Sequence, residues 1–190
     1  MSAIEQVANG WPPRIQGEWT VDNLRDSPDD GQRYEILDGV LLVTPVPAPR
    51  HQWALLELAV LLRGACPSDH AVFVAPLDWQ PDPRTSLQPD IIVVRLDRVG
   101  EKNVALAPTI VVEIASPSTA RIDRMIKLTR YAEGGIAQYW IVDPSGPSIQ
   151  VFDLVDGEYQ PTLRADGSDL LVVPGPIPVS VRPSELVLRR

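Results

Sequence analysis

Residues 87–144 decide the fold of this chain: LQPDIIVVRLDRVGEKNVALAPTIVVEIASPSTARIDRMIKLTRYAEGGIAQYWIVDP. The three apolar runs in it, IIVV, TIVVEI and QYWIVD, are short and are typical of buried strands. A helix is predicted between the second and third runs, over about residues 120–133. Gly134 and Gly135 follow it, and glycine is favoured just past a helix C-terminus. The stretch therefore predicts two strands, a helix and a third strand.

The first two predicted strands each carry one carboxylate in an apolar setting. Asp90 opens the first strand, and Glu113 stands near the end of the second. If these strands pair antiparallel, both carboxylates lie at the same end of the sheet. Neighbouring strands are about 4.8 Å apart, so Asp90 and Glu113 could share one divalent cation. Mg²⁺ is often held by one or two carboxylates together with waters and substrate phosphate.

The predicted helix brings a lysine toward the same place. Ser116 or Ser118 is expected to cap it, because serine is favoured at that position. Lys127 then lies roughly 11 Å along the helix axis, at 1.5 Å per residue. Helical side chains lean toward the N-terminus, so the ammonium group can point back toward the two carboxylates. As a polar position on the helix, Lys127 is expected to contribute little to stability.

This arrangement resembles the PD-(D/E)xK nuclease superfamily, and within it the Uma-two family of restriction-endonuclease-like proteins. The resemblance covers about Tyr34 to Tyr159. The matching pieces are RYEILDG (33–39), a helix led by His51, QPDIIVV (88–94), VVEIASPST (111–119), the spacing of Asp123 and Lys127, Tyr131, and QYWIVDP (138–144). One position departs from the superfamily pattern, which has a lysine where Ala115 stands. In Uma-two-like sequences that lysine is in the following helix, which points to Lys127.

The resemblance implies a fold. The expected architecture is α/β, a restriction-endonuclease-like mixed sheet flanked by helices, with an N-terminal β-hairpin and a C-terminal β extension. One domain is expected over residues 1–190, with its core at about 33–160. A chain of 190 residues is long enough to bury such a core.

The resemblance also implies a Mg²⁺-dependent DNA endonuclease, with Mn²⁺ as a possible substitute. Asp90, Glu113 and the backbone carbonyl of Ile114 would hold the metal. Lys127 would orient the attacking water or stabilise charge in the transition state, and Glu35 would assist. The implied substrate is duplex DNA, and cutting both strands would favour a homodimer, since twofold dimers are the commonest oligomers.

Simpler interpretations stand beside these roles. Asp90 can merely begin a strand, and Glu35 can be an ordinary strand carboxylate. Glu113 interrupts a run that is expected to be buried, where an unpaired carboxylate costs several kcal/mol. It therefore needs a metal, a lysine or a hydrogen-bond network. His51, at a helix start, is more typical of a surface or hydrogen-bonding residue, and Tyr131 is most simply a core residue.

Basic residues recur along the predicted helix. Arg121, Arg124, Lys127 and Arg130 follow one another at three-residue spacing. Such residues usually form a solvated face. The same spacing also makes a positive stripe beside the proposed metal, where the three arginines could contact phosphates of DNA.

Charge and composition limit the possible partners. The formal net charge is −8, which counts against nucleic acid unless a local basic surface contacts it. The single cysteine, Cys66, excludes an internal disulfide and fits the reducing cytoplasm. The N-terminus has no signal-peptide pattern, and the apolar stretch 53–62 is too short to cross a bilayer, so no membrane partner is expected.

The flanking segments predict further elements. YEILDGVLLVTP predicts a β-hairpin turning at Asp38 and Gly39, and a second hairpin is expected at Asp156 and Gly157. A helix over about 51–63 is apolar nearly all round and is expected to be buried. A strand pair or one bent strand is expected over residues 70–80, followed by a loop at PDPRTS, residues 81–86.

Two other functions stay open. A nuclease fold that no longer cuts could serve as a binding or assembly module, which the acidic net charge and Ala115 favour. The chain could also be a metal-dependent hydrolase of another phosphate ester. A titration with Mg²⁺ or Mn²⁺ discriminates among them, because a catalytic site should bind the metal and lose it in Asp90→Ala.

Overall fold

The structure, a computed structural model, describes residues 18–115 and 127–188. In these residues the helices are α1 (Pro49–Ala65) and α2 (Leu128–Glu133), with 3-10 helices at Val21–Asp26, Leu96–Arg98 and Pro183–Leu186. The strands are β1 (Arg33–Leu37), β2 (Val40–Thr44), β3 (His70–Val74), β4 (Trp79–Asp82), β5 (Thr85–Leu87), β6 (Ile91–Arg95), β7 (Ile110–Ile114), β8 (Gln138–Asp143), β9 (Ser148–Val155), β10 (Glu158–Asp166), β11 (Leu171–Val173) and β12 (Val179–Val181).

The central sheet has six strands in the order β10-β9-β8-β7-β6-β3. Strands β7 and β8 are parallel and the other pairs are antiparallel, so the predicted mixed sheet is confirmed. Ile91 of β6 lies opposite Val112 of β7. The next pair in this antiparallel register is Asp90 and Glu113, so both predicted carboxylates stand at the same end of the sheet.

A second sheet of four strands, β2-β1-β5-β4, contains the predicted N-terminal hairpin. Its turn residues Asp38 and Gly39 have φ angles of 50° and 83°, which a two-residue turn of type I′ requires at both positions. The predicted loop over residues 81–86 is wrong. Most of this segment belongs to β4 and β5, because β5 gains a partner in the distant β1, where Ser86 lies opposite Ile36. Strand β4 is an edge strand, which accommodates its proline.

Helix α1 packs on one face of the central sheet, but it is not buried all round as its composition predicted. The buried side is formed by His51, Ala54, Leu55, Leu58, Ala59 and Leu62. On the opposite side Trp53, Leu56 and Val60 are 38%, 56% and 60% exposed. These three residues form an outward apolar stripe, because only one side of a helix can lie against the sheet.

The other face of the central sheet is covered by α2 and by aromatic side chains. Tyr131 of α2 lies between Trp79 and Tyr139, with ring centroids 5.5 and 5.3 Å away. Gly134 ends the helix as predicted, and a Cβ atom at this position would come within 2.4 Å of the Trp79 ring. The aromatic packing therefore sets how closely the end of α2 approaches the second sheet.

The C-terminal part extends the sheet structure. Strands β9 and β10 form the hairpin predicted at Asp156 and Gly157, whose φ angles are 52° and 84°. Strands β11 and β12 pair antiparallel as a separate two-stranded sheet, which confirms the C-terminal β extension. Within residues 18–115 and 127–188, no helix is both long and apolar enough to cross a membrane.

Candidate active site

The candidate site lies at the end of the central sheet where β6 begins and β7 ends. The structure brings Glu35, Asp90, Glu113 and Lys127 together there, with side chains supplied by β1, β7 and the residues that precede β6 and α2. Taken over the whole residue, all four are at most 3% exposed. Charged groups are rarely buried so fully unless they are paired, so the contacts among them define the site.

The amino group of Lys127 lies between two carboxylates. Its Nζ is 3.0 Å from Oε1 of Glu35 and 3.0 Å from Oε1 of Glu113. The lysine immediately precedes α2, and its ammonium contacts Glu113. The predicted helical turns before Lys127 lie outside the described residues. The expectation that Lys127 is a polar surface position is wrong, because the side chain is 4% exposed and joins two sheets.

Glu113 has a second buried donor. The hydroxyl of Tyr131 donates a hydrogen bond of 2.7 Å to Oε1 of Glu113. Burial raises the pKa of Tyr131 well above its ordinary value, and the negative charges of Glu113 and Glu35 raise this pKa further. Tyr131 is therefore a core residue, as predicted, that also stays protonated as a donor. Its spacing of four residues from Lys127 on one helix face is the signal that could have identified this role.

Asp90 is held by three donors from three different elements. Its Oδ2 accepts from Nε2 of His51 at 3.0 Å and from the backbone N–H of Ile114 at 2.8 Å. Its Oδ1 accepts from Arg33 at 3.1 Å. Burial alone would raise the pKa of Asp90, but the hydrogen bond and charge of His51, the charge of Arg33 and the N–H of Ile114 lower it below its ordinary value. The carboxylate is therefore the form that the folded protein favours.

Arg33 belongs to the site and was not predicted from the sequence. Its guanidinium contacts Asp90 and also donates to the backbone carbonyl of Gln88 at 3.0 Å. Burial would lower the pKa of Arg33, but the charges of Asp90, Glu35 and Glu113 raise it. Arg33 and Glu35 stand two residues apart in one strand and so share a face. This period of two is the signal that could have linked Arg33 to the site.

His51 is a hydrogen-bonding residue, which was one of the two interpretations of its position. The interpretation as a surface residue is wrong, because His51 is 7% exposed. Its ring contacts Asp90 through Nε2, and its Nδ1 is buried with no hydrogen-bond partner among residues 18–115 and 127–188.

Glu35 ties the second sheet to the site. Its Oε1 accepts from the backbone N–H of Gln88 at 2.7 Å and from Lys127 at 3.0 Å. Gln88 lies just before Asp90 in the chain, so Glu35 links the segment that leads into β6 to the lysine. The interpretation of Glu35 as an ordinary strand carboxylate does not account for these two contacts.

The predicted arginine stripe falls largely outside the described residues. Arg121 and Arg124 lie there, as do the predicted caps Ser116 and Ser118. Their roles stay predictions.

Arg130 is described, and it contacts other protein groups. It pairs with the carboxylate of Asp82, lies 3.1 Å from Asp38 and 3.3 Å from Thr85, and stacks over Trp79 at 5.7 Å. The side chain is 12% exposed. These contacts fasten α2 to the second sheet. The predicted phosphate contact stays untested, and it would require Arg130 to leave them.

The donor chemistry fits a divalent cation held by few protein ligands. The described residues contain no group of three histidine, cysteine, aspartate or glutamate side chains placed to hold a metal ion. Asp90 and Glu113 are nevertheless buried, neighbouring oxygen donors, and Mg²⁺ is commonly bound by one or two carboxylates with waters and substrate phosphate. The backbone N–H of Ile114 serves Asp90, and the predicted use of its carbonyl as a ligand stays a prediction.

The charged groups of the site that lie among the described residues pair with one another. Arg33 lies 3.1 Å from Asp90, and Lys127 lies 3.0 Å from both Glu35 and Glu113. A divalent cation at Asp90 and Glu113 would add positive charge beside these pairs and would favour an anionic ligand such as a phosphate.

Comparisons with known proteins bear on the family and the fold. No curated protein matches the chain. Four chains of solved structures match. One is a crystal structure from Anabaena variabilis ATCC 29413, described as "a putative nuclease belonging to DUF820". It is 20% identical, with a TM-score of 0.71 over 88% of this chain and 97% of that chain, and this similarity supports the restriction-endonuclease-like fold. The sequence model of one family, described as "Putative restriction endonuclease", matches residues 21–183, and the chain therefore belongs to this family, Uma2.

Proposed function

We propose that the protein is a Mg²⁺-dependent DNA endonuclease that hydrolyses phosphodiester bonds. The observation that carries the proposal is the buried amino group of Lys127, held between the carboxylates of Glu35 and Glu113 beside Asp90. Membership of a family described as "Putative restriction endonuclease" supports a nuclease function in general. To this general function we add a requirement for a metal ion and a preference for DNA.

Asp90, Glu113 and the carbonyl of Ile114 are the groups that would hold Mg²⁺, or Mn²⁺ in its place. When bound, such an ion polarises the scissile phosphate and lowers the pKa of a bound water. The protein keeps both carboxylates buried and oriented, Asp90 by Arg33 and His51, and Glu113 by the hydroxyl of Tyr131. These supports reduce the rearrangement that metal binding would otherwise require.

Lys127 supplies a positive charge to the reaction in this proposal. Attack of water on phosphorus increases the negative charge on the phosphoryl oxygens, and an oriented cation stabilises that charge. Such stabilisation is stronger where water is excluded, and Lys127 is 4% exposed. Glu35 keeps the ammonium in place from the side of the second sheet.

Binding of duplex DNA requires local positive charge, since the chain as a whole carries −8. Arg121 and Arg124 are the proposed phosphate contacts, with Arg130 as a further candidate. The proposal places them on the segment that carries Lys127, so that phosphate binding and the reaction would be adjacent.

A homodimer is part of the proposal, because two sites related by a twofold axis can cut the two strands of a duplex. The outward apolar stripe of α1 is the proposed interface. Aromatic residues are enriched in the cores of interfaces, and the stripe combines Trp53 with Leu56 and Val60.

The test is nicking of supercoiled plasmid. The wild type should cut with Mg²⁺ or Mn²⁺, and EDTA should stop the reaction. Asp90→Ala should lose cleavage, whereas the matched control Asp97→Ala should keep it, because Asp97 is 61% exposed and pairs only with Arg95 among its described side-chain contacts. Equal cleavage by wild type and Asp90→Ala would contradict the proposed site.

A second candidate is a nuclease-fold binding module without activity. It is favoured by the ion pairs among the described residues, in which Lys127 and Arg33 already contact carboxylates of the site without a metal. If the wild type cuts none of several DNA substrates with either metal, this candidate replaces the endonuclease.

A further inference from the structure

We infer that His51 is a positioning residue, which holds the Asp90 carboxylate in the orientation that metal binding requires. The inference rests on the proposed function and adds to it a role for a residue outside the acidic groups and the lysine.

The first turn of α1 places the His51 ring against Asp90, at the end of the central sheet where β6 begins. Pro49 opens α1, and His51 follows in the first turn. Its Nε2 lies 3.0 Å from Oδ2 of Asp90, and its side chain is 9% exposed. A carboxylate only accepts hydrogen bonds, so Nε2 carries the proton and donates it.

His51 is one of three hydrogen-bond donors to the Asp90 carboxylate. Arg33 donates to Oδ1, and the backbone N–H of Ile114 donates to the same Oδ2 as His51. The Arg33 side chain is 20% exposed and has four rotatable bonds, so it is the less rigid of the two side-chain donors. Without His51, Oδ2 would keep only the backbone donor among these contacts, and the carboxylate could rotate more freely.

The hydrogen bond that the structure shows for the His51 ring is on its Asp90 side. Nδ1 of His51 is buried, with no hydrogen-bond partner in the part of the chain that the structure describes. The contact of the ring that the structure does show is the one from Nε2 to Asp90, and it points to Asp90 as the reason for a histidine here.

His70 supplies a matched control, because the chain has two histidines. Its ring also contacts an aspartate, with Nδ1 2.8 Å from Asp69, and its Nε2 lies 3.2 Å from Thr109. Asp69 is 58% exposed, and His70 lies opposite Arg95, at the far end of β6 from Asp90. A change at His70 therefore removes a similar contact away from the site.

The experiment measures Mn²⁺ binding to the full chain by calorimetry, together with cleavage kinetics. Asp90→Ala should lose binding. His51→Leu and His51→Asn should weaken Mn²⁺ binding about 10- to 100-fold, as is typical for loss of a group that orients a ligand. His51→Gln should restore most of it, because its amide N–H₂ can reach the position of Nε2. His70→Gln should bind as the wild type does.

The kinetics separate positioning from a general loss of structure. In His51→Asn, kcat should fall while KM for DNA stays unchanged, because the inference gives His51 no contact with DNA. Thermal melting identifies variants that fail to fold, and if His51→Leu is among them, the comparison of His51→Asn with His51→Gln decides. The Nε2–H signal of His51 in a ¹H–¹⁵N spectrum should be present in the wild type and absent in Asp90→Ala.

The variants distinguish failure of the inference about His51 from failure of the proposed function. If Asp90→Ala loses Mn²⁺ but folded His51→Asn binds as the wild type does, the inference is overturned and the proposed function stands. Failure of His51→Gln to recover binding also overturns it. If the wild type binds no Mn²⁺, the proposed metal chemistry fails and the inference falls with it, even where the spectrum still reports the contact between His51 and Asp90.

Discussion

Glu113 illustrates how far single residues could be predicted. Its place in an apolar run predicted that it needs a metal, a lysine or a hydrogen-bond network, and the structure provides both Lys127 and Tyr131. The sequence could not indicate the burial of Lys127. That burial depends on Glu35, which approaches from another sheet.

Loss of the lysine should therefore affect stability as well as activity. Lys127→Ala leaves two buried carboxylates without their shared cation, which should lower the free energy of unfolding by about 3–5 kcal/mol. Urea unfolding measures this change. The cleavage rate should also fall by about 10²–10³, because an oriented charge is lost from the transition state.

Lys102→Ala is the control for that experiment. Lys102 is exposed, so its loss should change the free energy of unfolding by no more than about 0.5 kcal/mol. Equal urea midpoints for Lys127→Ala and Lys102→Ala would show that the buried ion pair does not stabilise the fold.

Asp90 should make stability depend on pH in acid. Its folded-state pKa is lowered, so its contribution is complete above its ordinary pKa of about 3.9 and is lost as the pH falls through the lower folded value. Asp90→Asn removes the charge at all pH values. It should be less stable than the wild type at neutral pH, and the difference should narrow below about pH 4. Urea midpoints measured across this range test the prediction, and a constant difference would contradict it.

Among the secondary-structure elements, those with local signals were predictable. The two hairpins turn at Asp-Gly pairs, and their φ angles are those that the pairs favour. Strand β5 was missed because its three residues are stabilised by pairing with β1, about fifty positions earlier in the chain. The outward stripe of α1 was missed because composition does not reveal which side of an apolar helix meets the sheet.

The two glycines near helix ends allow a matched test of packing. In Gly134→Ala the new methyl group would lie 2.4 Å from the Trp79 ring, so we expect a loss of about 1–3 kcal/mol from overpacking. Gly64, in the last turn of α1, has no atom within 4 Å of an added Cβ. Gly64→Ala should gain up to about 1 kcal/mol from helix propensity. Thermal unfolding compares the two, and equal melting temperatures would contradict the close approach of α2.

For the whole molecule, the mixed sheet and its flanking helices followed from the sequence pattern and the family resemblance. The docking of the second sheet did not. It depends on contacts between residues far apart in the chain, such as Arg33 with Asp90, for which no short-range pattern exists. A dimer interface also has no short-range sequence pattern, because it depends on how two folded surfaces fit together.

For the whole molecule, we predict a homodimer in solution. Light scattering should give a mass about twice 20.9 kDa at micromolar concentration. Leu56→Glu with Val60→Glu should produce the monomer, because two charges would then stand in the apolar stripe. Val172→Glu is the control, since Val172 is similarly exposed at 55% but lies on β11. A wild-type mass near that of one chain would refute the dimer, and dissociation by the control alone would refute the proposed interface.

The bridge formed by Lys127 has a consequence for the order of events during synthesis. Glu35 and Lys127 are 92 positions apart in the chain. The ribosome therefore adds Glu35 and Glu113 before it adds Lys127, whose ammonium contacts both carboxylates. A nascent chain that has not yet docked its sheets carries the carboxylates without the lysine in place. We therefore expect the second sheet to complete its docking only after Lys127 has left the ribosome, because Glu35 and Glu113 lack their shared ammonium until then.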